Sequence, residues 1–246
     1  KYRLKLEKNA YKFGVKMQWN NVAAQYLDVF RNIIDIEETI GLHKFPKFKL
    51  THLLSLTDDT GVIQHAKHSI PDRVTGYALD DNARALIVAV KASELQKDAQ
   101  SIELLKKYLS FLQYCQRKDG MFHNLVGYDK RFLDKIGSED CFGRAILALG
   151  TVIASKLNEN IKLNAKFIFD NSFKNYKKIK SLRSSAFAIA GLYNYYKVYK
   201  HQDIKEKIKY FADSLLRKYK KYKSEDWVWF EDSITYSMEI YPIHYF

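Results

Sequence analysis

The chain contains few residues that interrupt or cross-link a polypeptide. Of its 246 residues only three are proline and ten are glycine, and no proline lies between Pro71 and Pro242. Because proline breaks a helix interior, this stretch is free to form long helices. The two cysteines, Cys115 and Cys141, stand in apolar helical contexts and are predicted to be buried free thiols. Two cysteines do not make a disulfide framework, which suits a cytoplasmic protein.

Other absences exclude whole classes of function. The longest wholly apolar run, residues 85–90, is far below the roughly 20 residues that span a bilayer, so no transmembrane segment is predicted. The first residues carry no signal-peptide pattern and lack a starting methionine, which suggests a piece of a longer protein.

Sequence motifs for cofactors and metals are also missing. There is no phosphate-cradling glycine loop and no Gly-x-Ser-x-Gly elbow. His65, His68 and Asp72 fit no standard zinc spacing, and neither these histidines nor His123 are assigned a ligand role. No metal and no cofactor are predicted.

The net charge of +13 invites a nucleic-acid interpretation. Residues 197–223 hold ten Lys or Arg and three acids in alternation with an apolar stripe, which is typical of a solvated helix face. Acidic pairs elsewhere would repel phosphates where a site is expected. No nucleic-acid partner is predicted.

Four segments begin alike and indicate a repeat. They start at Asp80, Glu139, Leu182 and Glu231, roughly 45–60 residues apart, and three of them open with an acidic pair. Helices that are apolar nearly all round are predicted at 81–93, 139–155 and 182–199. They alternate with amphipathic helices at 101–116, 160–173 and 202–220.

This alternation of inner and outer helices predicts an all-α fold, an α/α toroid of helical hairpins, with a flat solenoid as the alternative. An amphipathic helix over 19–38, a short helix over 51–57 and one strand, Val62–Ala66, are also predicted.

Parallel inner helices would bring their N-termini to one mouth of the ring. Asp80, Asp81, Glu139 and Asp140 are the candidate catalytic residues there, because glycoside hydrolysis uses two carboxylates across a sugar. The ordinary alternative is that these acids cap helices and oppose the helix dipole.

The cations and aromatic residues near these helix starts have two interpretations each. Arg84 and Arg144, one turn into their helices, either form ion pairs with the acids or orient them and bind sugar hydroxyls. Arg183 either faces substrate or forms a salt bridge with a neighbouring pair. Tyr77 and Trp229 either stack on sugar rings or plug the mouth.

The motifs in residues 72–86, 138–150 and 229–233 resemble the six-hairpin glycosidase-like domain that follows some prokaryotic glycosyltransferases. They read Asp72-Arg73-x-x-Gly76-Tyr77-x-x-Asp80-Asp81-Asn82-Ala83-Arg84, Ser138-Glu139-Asp140-Cys141-x-Gly143-Arg144 and Trp229-Phe230-Glu231-Asp232-Ser233. The resemblance implies carbohydrate chemistry and a saccharide or glycan ligand. The candidate substrate-binding residues are Asp72, Arg73, Tyr77, Arg84, Arg144, Arg183, Trp229, Glu231 and Asp232.

The segment Trp19-x-x-Val22-Ala23-x-x-Tyr26 resembles the closing helix of a group 1, GT-B type glycosyltransferase. This resemblance implies two regions: residues 1–45 as the tail of a transferase, and residues 46–246 as the toroid domain. Four inner starts are fewer than a six-hairpin ring needs, so a ring truncated at its C-terminus is expected. The exposed apolar surface of such an open ring predicts self-association.

Three functions stay open at this point. The first is a carbohydrate-active enzyme domain, hydrolase-like or phosphorylase-like. The second is a non-catalytic carbohydrate-binding or scaffolding domain that serves a glycosyltransferase domain or subunit. The third, a basic helical-repeat interaction domain, is disfavoured by the motif match.

Overall fold

The computed structural model describes residues 19–32, 47–225, 227 and 229–233. The chain divides into two compact units, residues 1–49 and residues 50–246. In the first unit, helix α1 spans Trp19–Arg31, where a longer helix to residue 38 was predicted; residues 33–38 lie outside the described part. Tyr26 and Phe30, one turn apart on α1, lie with their ring centroids 6.2 Å apart.

The second unit is built from helices. They are α2 (Thr51–Ser55), α3 (Leu79–Gln96), α4 (Ala99–Cys115), α5 (Glu139–Ala154), α6 (Glu159–Ser172), α7 (Leu182–Tyr199) and α8 (Gln202–Tyr222). The predicted all-α class is confirmed, and each of the long helices was predicted to within three residues at either end. Local geometry explains the extensions of α3: it begins after the extended residue Ala78 and ends where Lys97 turns left-handed, at φ 54°.

Four two-residue strands form two antiparallel ribbons. Strand β1 (Ala66–Lys67) pairs with β2 (Ile70–Pro71), and β3 (Tyr77–Ala78) pairs with β4 (Leu125–Val126). The predicted strand Val62–Ala66 does not form as one continuous strand. Val62 and Ile63 form isolated bridges, to Thr57 and to Tyr77, and Ala66 is the first residue of β1.

Helices α3, α5 and α7 form the inner layer, and α4, α6 and α8 each cover one of them. Helix α5 packs on both α3 and α7. Its apolar side chains are buried on every side, whereas α8 buries only the stripe of Ile204, Phe211 and Leu215. This is the layering of an α/α toroid.

The inner helices α5 and α7 run parallel and touch through small residues. A Cβ at Gly143 would overlap the backbone of Ser184, and a Cβ at Gly150 would overlap the backbone of Gly191. The contact therefore depends on glycine at positions 143 and 150, because any larger residue there would force the helices apart.

Connections at the two ends of this unit differ in length. At one end, residues 97–98, 155–158 and 200–201 make tight turns. At the other end, where the inner helices begin, longer connections span residues 56–78, 116–138 and 173–181. We call this second end the mouth. Long loops on a rigid scaffold are the usual place for functional residues.

Candidate functional site

The first part of the mouth is the opening turn of α3. Arg84 Nη2 lies 3.4 Å from Asp80 Oδ2 and also contacts Asp81 Oδ1. The Asp80 side chain is 26% exposed and that of Arg84 is 53% exposed. Burial raises the pKa of Asp80, and the neighbouring Asp81 carboxylate adds to the increase, whereas Arg84 and Arg144 oppose it. Asp80 is thus a carboxyl group that holds its proton more tightly than an exposed one.

The second part is the opening turn of α5. Arg144 Nε lies 3.0 Å from Asp140 Oδ2, and the arginine side chain is 12% exposed. The other carboxylate oxygen, Asp140 Oδ1, is buried and has no hydrogen-bond partner among the described residues. A buried acceptor without a donor costs about 1–3 kcal/mol, so an atom in this position is suited to receive a donor from a ligand or water.

Glu139 faces a different partner from Asp140. One carboxylate oxygen of Glu139 accepts hydrogen bonds from the backbone N–H groups of Lys180 (2.6 Å) and Ser181. The Glu139 carbonyl oxygen accepts from Ser184 Oγ at 2.6 Å. These contacts join the start of α5 to the start of α7 and occupy one oxygen of a carboxylate that was a catalytic candidate.

The third part of the mouth joins α7 to residues 227–233. Arg183 Nη2 lies 3.2 Å from Glu231 Oε2, and Trp227 Nε1 donates to the Glu231 carbonyl oxygen at 2.6 Å. Trp229 packs on a small core cluster that contains Leu182, Ala186, Leu215 and Phe230. The exposed Asp232 accepts a hydrogen bond from Ser233 Oγ at 3.2 Å.

A fourth inner helix was predicted to start at Glu231. Residues 229–233 are not helical, and the predicted continuation lies outside the described residues.

The other predicted substrate-binding residues have structural partners. Asp72 caps a 3₁₀ turn by accepting from the Val74 backbone N–H at 3.3 Å, and Arg73 Nε donates to the Tyr128 hydroxyl at 3.1 Å. Tyr77 is only 1% exposed, and its hydroxyl donates to Asp58 Oδ2 at 2.6 Å. Burial raises the pKa of Tyr77. Its ring has no free face on which a sugar could stack.

Asn82 is a positioning residue that the sequence analysis did not single out. It is fully buried; its Oδ1 accepts from the Val62 N–H at 2.9 Å, and its Nδ2 donates to the Ala78 carbonyl at 2.9 Å. These bonds hold residues 61–62 against the first turn of α3. The sequence signal that could have identified Asn82 is its position, an uncharged amide directly after Asp80 and Asp81.

His123 and the two cysteines have structural surroundings within the second unit. Among the described residues no group of three or more His, Cys, Asp or Glu side chains could hold an ion. His123 Nδ1 lies 3.0 Å from Asp134 Oδ1, and its ring stacks on Phe132 with centroids 4.0 Å apart. Cys115 and Cys141 are buried free thiols, as predicted, and burial raises the pKa of Cys141 to about 12.

In the part of the chain that the structure describes, no helix has both the length and the apolar character needed to cross a bilayer.

No family model and no curated protein matches the sequence. A solved structure does resemble it: cellobiose 2-epimerase from Bacillus thermoamylovorans, with a TM-score of 0.56 at 12% sequence identity. The match covers 72% of this chain and 54% of the epimerase, so the chain spans about half the length of that protein. At this identity the likeness concerns the fold alone, and it agrees with the six-hairpin-type α/α toroid that the sequence predicted.

Proposed function

We propose that the mouth of the helical unit is a saccharide site of a carbohydrate-active domain, built on Asp80, Asp81 and Asp140 with Arg84 and Arg144. The observation that carries this proposal is the buried, unpartnered Oδ1 of Asp140. Its sister oxygen is held by Arg144, so the carboxylate has a fixed orientation and one acceptor left over. A sugar hydroxyl is a donor of the right size and strength for that position.

The chemistry of the site follows from the difference between the two aspartates. Burial raises the pKa of Asp80, which suits this carboxyl group to the role of proton donor. Asp140 is ion-paired with Arg144 and is the second carboxylate. Two carboxyl groups in unlike environments are the arrangement that glycoside chemistry uses. Glu139, bound by two backbone N–H groups, is left out of this catalytic set.

The fold neighbour supports a carbohydrate ligand by analogy only. Its name states that it acts on cellobiose, a disaccharide. One fold hosts many functions, so this support concerns the class of ligand and not the reaction.

A second candidate function is a non-catalytic carbohydrate-binding or scaffolding domain that serves a glycosyltransferase. It is favoured by the ion pairs: Arg84 contacts both Asp80 and Asp81, and Arg144 contacts Asp140. Acids neutralised in this way bind hydroxyl groups well without transferring protons. The resemblance of residues 19–26 to a transferase helix suggests residues 1–45 as the transferase end of such a protein. Two buried free thiols support a cytoplasmic location.

Calorimetric titration with cellobiose and with mannose oligosaccharides tests the site. Asp140→Asn should weaken binding at least about tenfold, because the amide presents a donor where an acceptor is needed. The matched control is Asp203→Asn, since Asp203 also lies in the first turn of a helix and pairs with Lys207 four residues later, at 2.7 Å. The control should bind like the wild type.

Product analysis by chromatography then separates the two candidates. Turnover that Asp80→Asn abolishes would support the enzyme, and tight binding without turnover would support the binding domain. If the wild-type protein binds none of these sugars, the proposed site is wrong.

A further inference from the structure

The positive charge of the chain is concentrated in one hairpin. Residues 174–223 contain fifteen Lys or Arg and three Asp or Glu, a net charge of +12 in a chain whose total is +13. Two of the three acids are already paired, Asp203 with Lys207 and Asp213 with Lys209. The rest of the second unit has no comparable excess, so this hairpin dominates the electrostatic field of that unit.

Much of this charge lies at the mouth. We define the basic rim as the Lys and Arg side chains of residues 174–180 and 217–223. The first segment leads into α7, and its Lys180 backbone N–H contacts Glu139. The second ends α8 beside the cluster of Leu182 and Phe230, against which Tyr219 packs. Neither segment contains an acid.

Part of the basic rim is exposed to solvent. Lys177, Lys178, Lys220 and Lys221 are exposed, and the structure shows no ion pair for any of them among the described residues. Three rim cations also lie over tyrosine rings of the same segment. Lys223 lies 5.3 Å from the ring centroid of Tyr219, and Lys218 and Lys221 lie 5.8 Å and 5.0 Å from that of Tyr222.

We propose that the basic rim binds the acidic groups, carboxylate or phosphate, of a saccharide whose neutral hydroxyls occupy the site at Asp80 and Asp140. This inference rests on the proposed saccharide site and names the class of its ligand. A sugar polymer with acidic groups on some of its units satisfies both regions. Its charged units face the rim, and its uncharged units face the aspartates.

Other polyanions fit the mouth less well. A nucleic acid carries a phosphate on every unit and would place some of them against Asp80, Asp81 and Asp140. An anionic membrane is favoured by exposed apolar side chains among the lysines. The apolar stripe of α8 is buried instead, and the large exposed apolar residues of this hairpin, Tyr193 and Val198, lie toward the far end of α7.

The test is a binding comparison at low and high salt. The acidic probes are an oligogalacturonate, which carries carboxylates, and a phosphomannan oligosaccharide, which carries phosphates; the neutral probe is a cello-oligosaccharide of equal length. At low ionic strength at least one acidic probe should bind about tenfold more tightly than the neutral one, and added salt should remove the difference. The acidic probe that binds more tightly than the neutral one shows whether the rim recognises carboxylate or phosphate.

A matched pair of variants locates the effect. Lys177→Gln/Lys220→Gln/Lys221→Gln removes three exposed charges from the basic rim, and we expect it to lose most of the preference for the acidic probe. Lys197→Gln/Lys200→Gln/Lys205→Gln removes three exposed charges from the opposite end of the same helices and should keep the preference. Circular dichroism confirms that both variants are folded.

Each remaining outcome has a definite meaning. If neutral and acidic sugars bind equally, or both variants lose the preference alike, the basic rim is not the recognition surface, while the proposed function survives. If no sugar of either kind binds, the proposed function fails first. Tighter binding to phosphatidylglycerol vesicles or to poly-uridine RNA than to both acidic sugars would also overturn the inference.

Discussion

The guanidinium carbon of Arg144 lies 4.6 Å from the ring centroid of Phe187. The two residues belong to neighbouring inner helices, so the contact ties α5 to α7 at the mouth. The same guanidinium bonds Asp140 through Nε. Arg144 therefore fixes the orientation of the Asp140 carboxylate and also contributes to the packing of α5 on α7.

Replacing Arg144 should cost stability in two parts. Arg144→Ala removes the largely buried ion pair and the contact with Phe187, and we expect a loss of about 2 kcal/mol in the free energy of unfolding. Arg144→Lys keeps the charge but loses the planar stacking on Phe187. Its unfolding free energy should therefore lie between those of the wild type and Arg144→Ala. Urea unfolding measures the change.

The equivalent arginine of α3 provides the control for that measurement. Arg84 is 53% exposed, and its ion pairs among the described residues are with Asp80 and Asp81, so Arg84→Ala should change stability by no more than about 0.5 kcal/mol. Equal losses in the two variants would show that Arg144 has no special role between the helices.

The helices and some of the site were predictable because the signals are local. Apolar periodicity located α3 to α8, and the spacing of three and four residues anticipated the ion pairs of Arg84 and Arg144. Glu139 was a different case. Its partners are the backbone N–H groups of Lys180 and Ser181, about 40 residues later, and no local pattern reports such a contact.

The burial of Tyr77 also could not be predicted from local sequence. The sequence places it just before an inner helix, where an aromatic residue can be exposed at a mouth. Its burial depends on the pairing of β3 with β4, a strand in the distant 116–138 connection, and on the acceptor Asp58. Tertiary pairing of this kind overrides a local prediction.

Gly150→Ala tests the close contact of α5 with α7, because helix propensity and this contact predict opposite changes in the free energy of unfolding. Propensity alone predicts a gain of about 1 kcal/mol for alanine inside a helix. A methyl group at this position would overlap the backbone of Gly191, which cannot move as a side chain does. We expect a net loss of about 1–3 kcal/mol, measured by thermal or urea unfolding. A stabilised variant would mean that α5 and α7 are farther apart than described.

Asp80 should make stability fall as pH rises. Its pKa is raised in the folded protein by burial and by Asp81, so the folded state binds the proton more tightly than the unfolded state. The penalty appears above the ordinary carboxyl pKa and is complete above the raised one. Asp80→Asn should therefore be more stable than the wild type at pH 7, and the advantage should vanish at pH 3.

Unfolding curves collected across this pH range test the Asp80 prediction. Asp59→Asn is a suitable control, because Lys130 lowers the pKa of this exposed carboxyl and its removal should bring no gain at pH 7. If Asp80→Asn is less stable than the wild type at pH 7, the ion pair with Arg84 outweighs burial.

Glu139 should prove to be a structural residue, although it stands beside a site aspartate. Glu139→Ala removes an acceptor shared by two backbone N–H groups, and we expect a loss of about 1.5–3 kcal/mol in unfolding free energy. Glu139→Gln keeps an acceptor oxygen and should lose less. The carboxylate is turned toward the start of α7, so the saccharide affinity of the folded Gln variant should stay within about twofold of the wild type. Asp140→Asn should lose at least about tenfold in affinity. Calorimetric titration beside urea unfolding gives both quantities, and a Gln variant that is stable but binds no sugar would return Glu139 to the site.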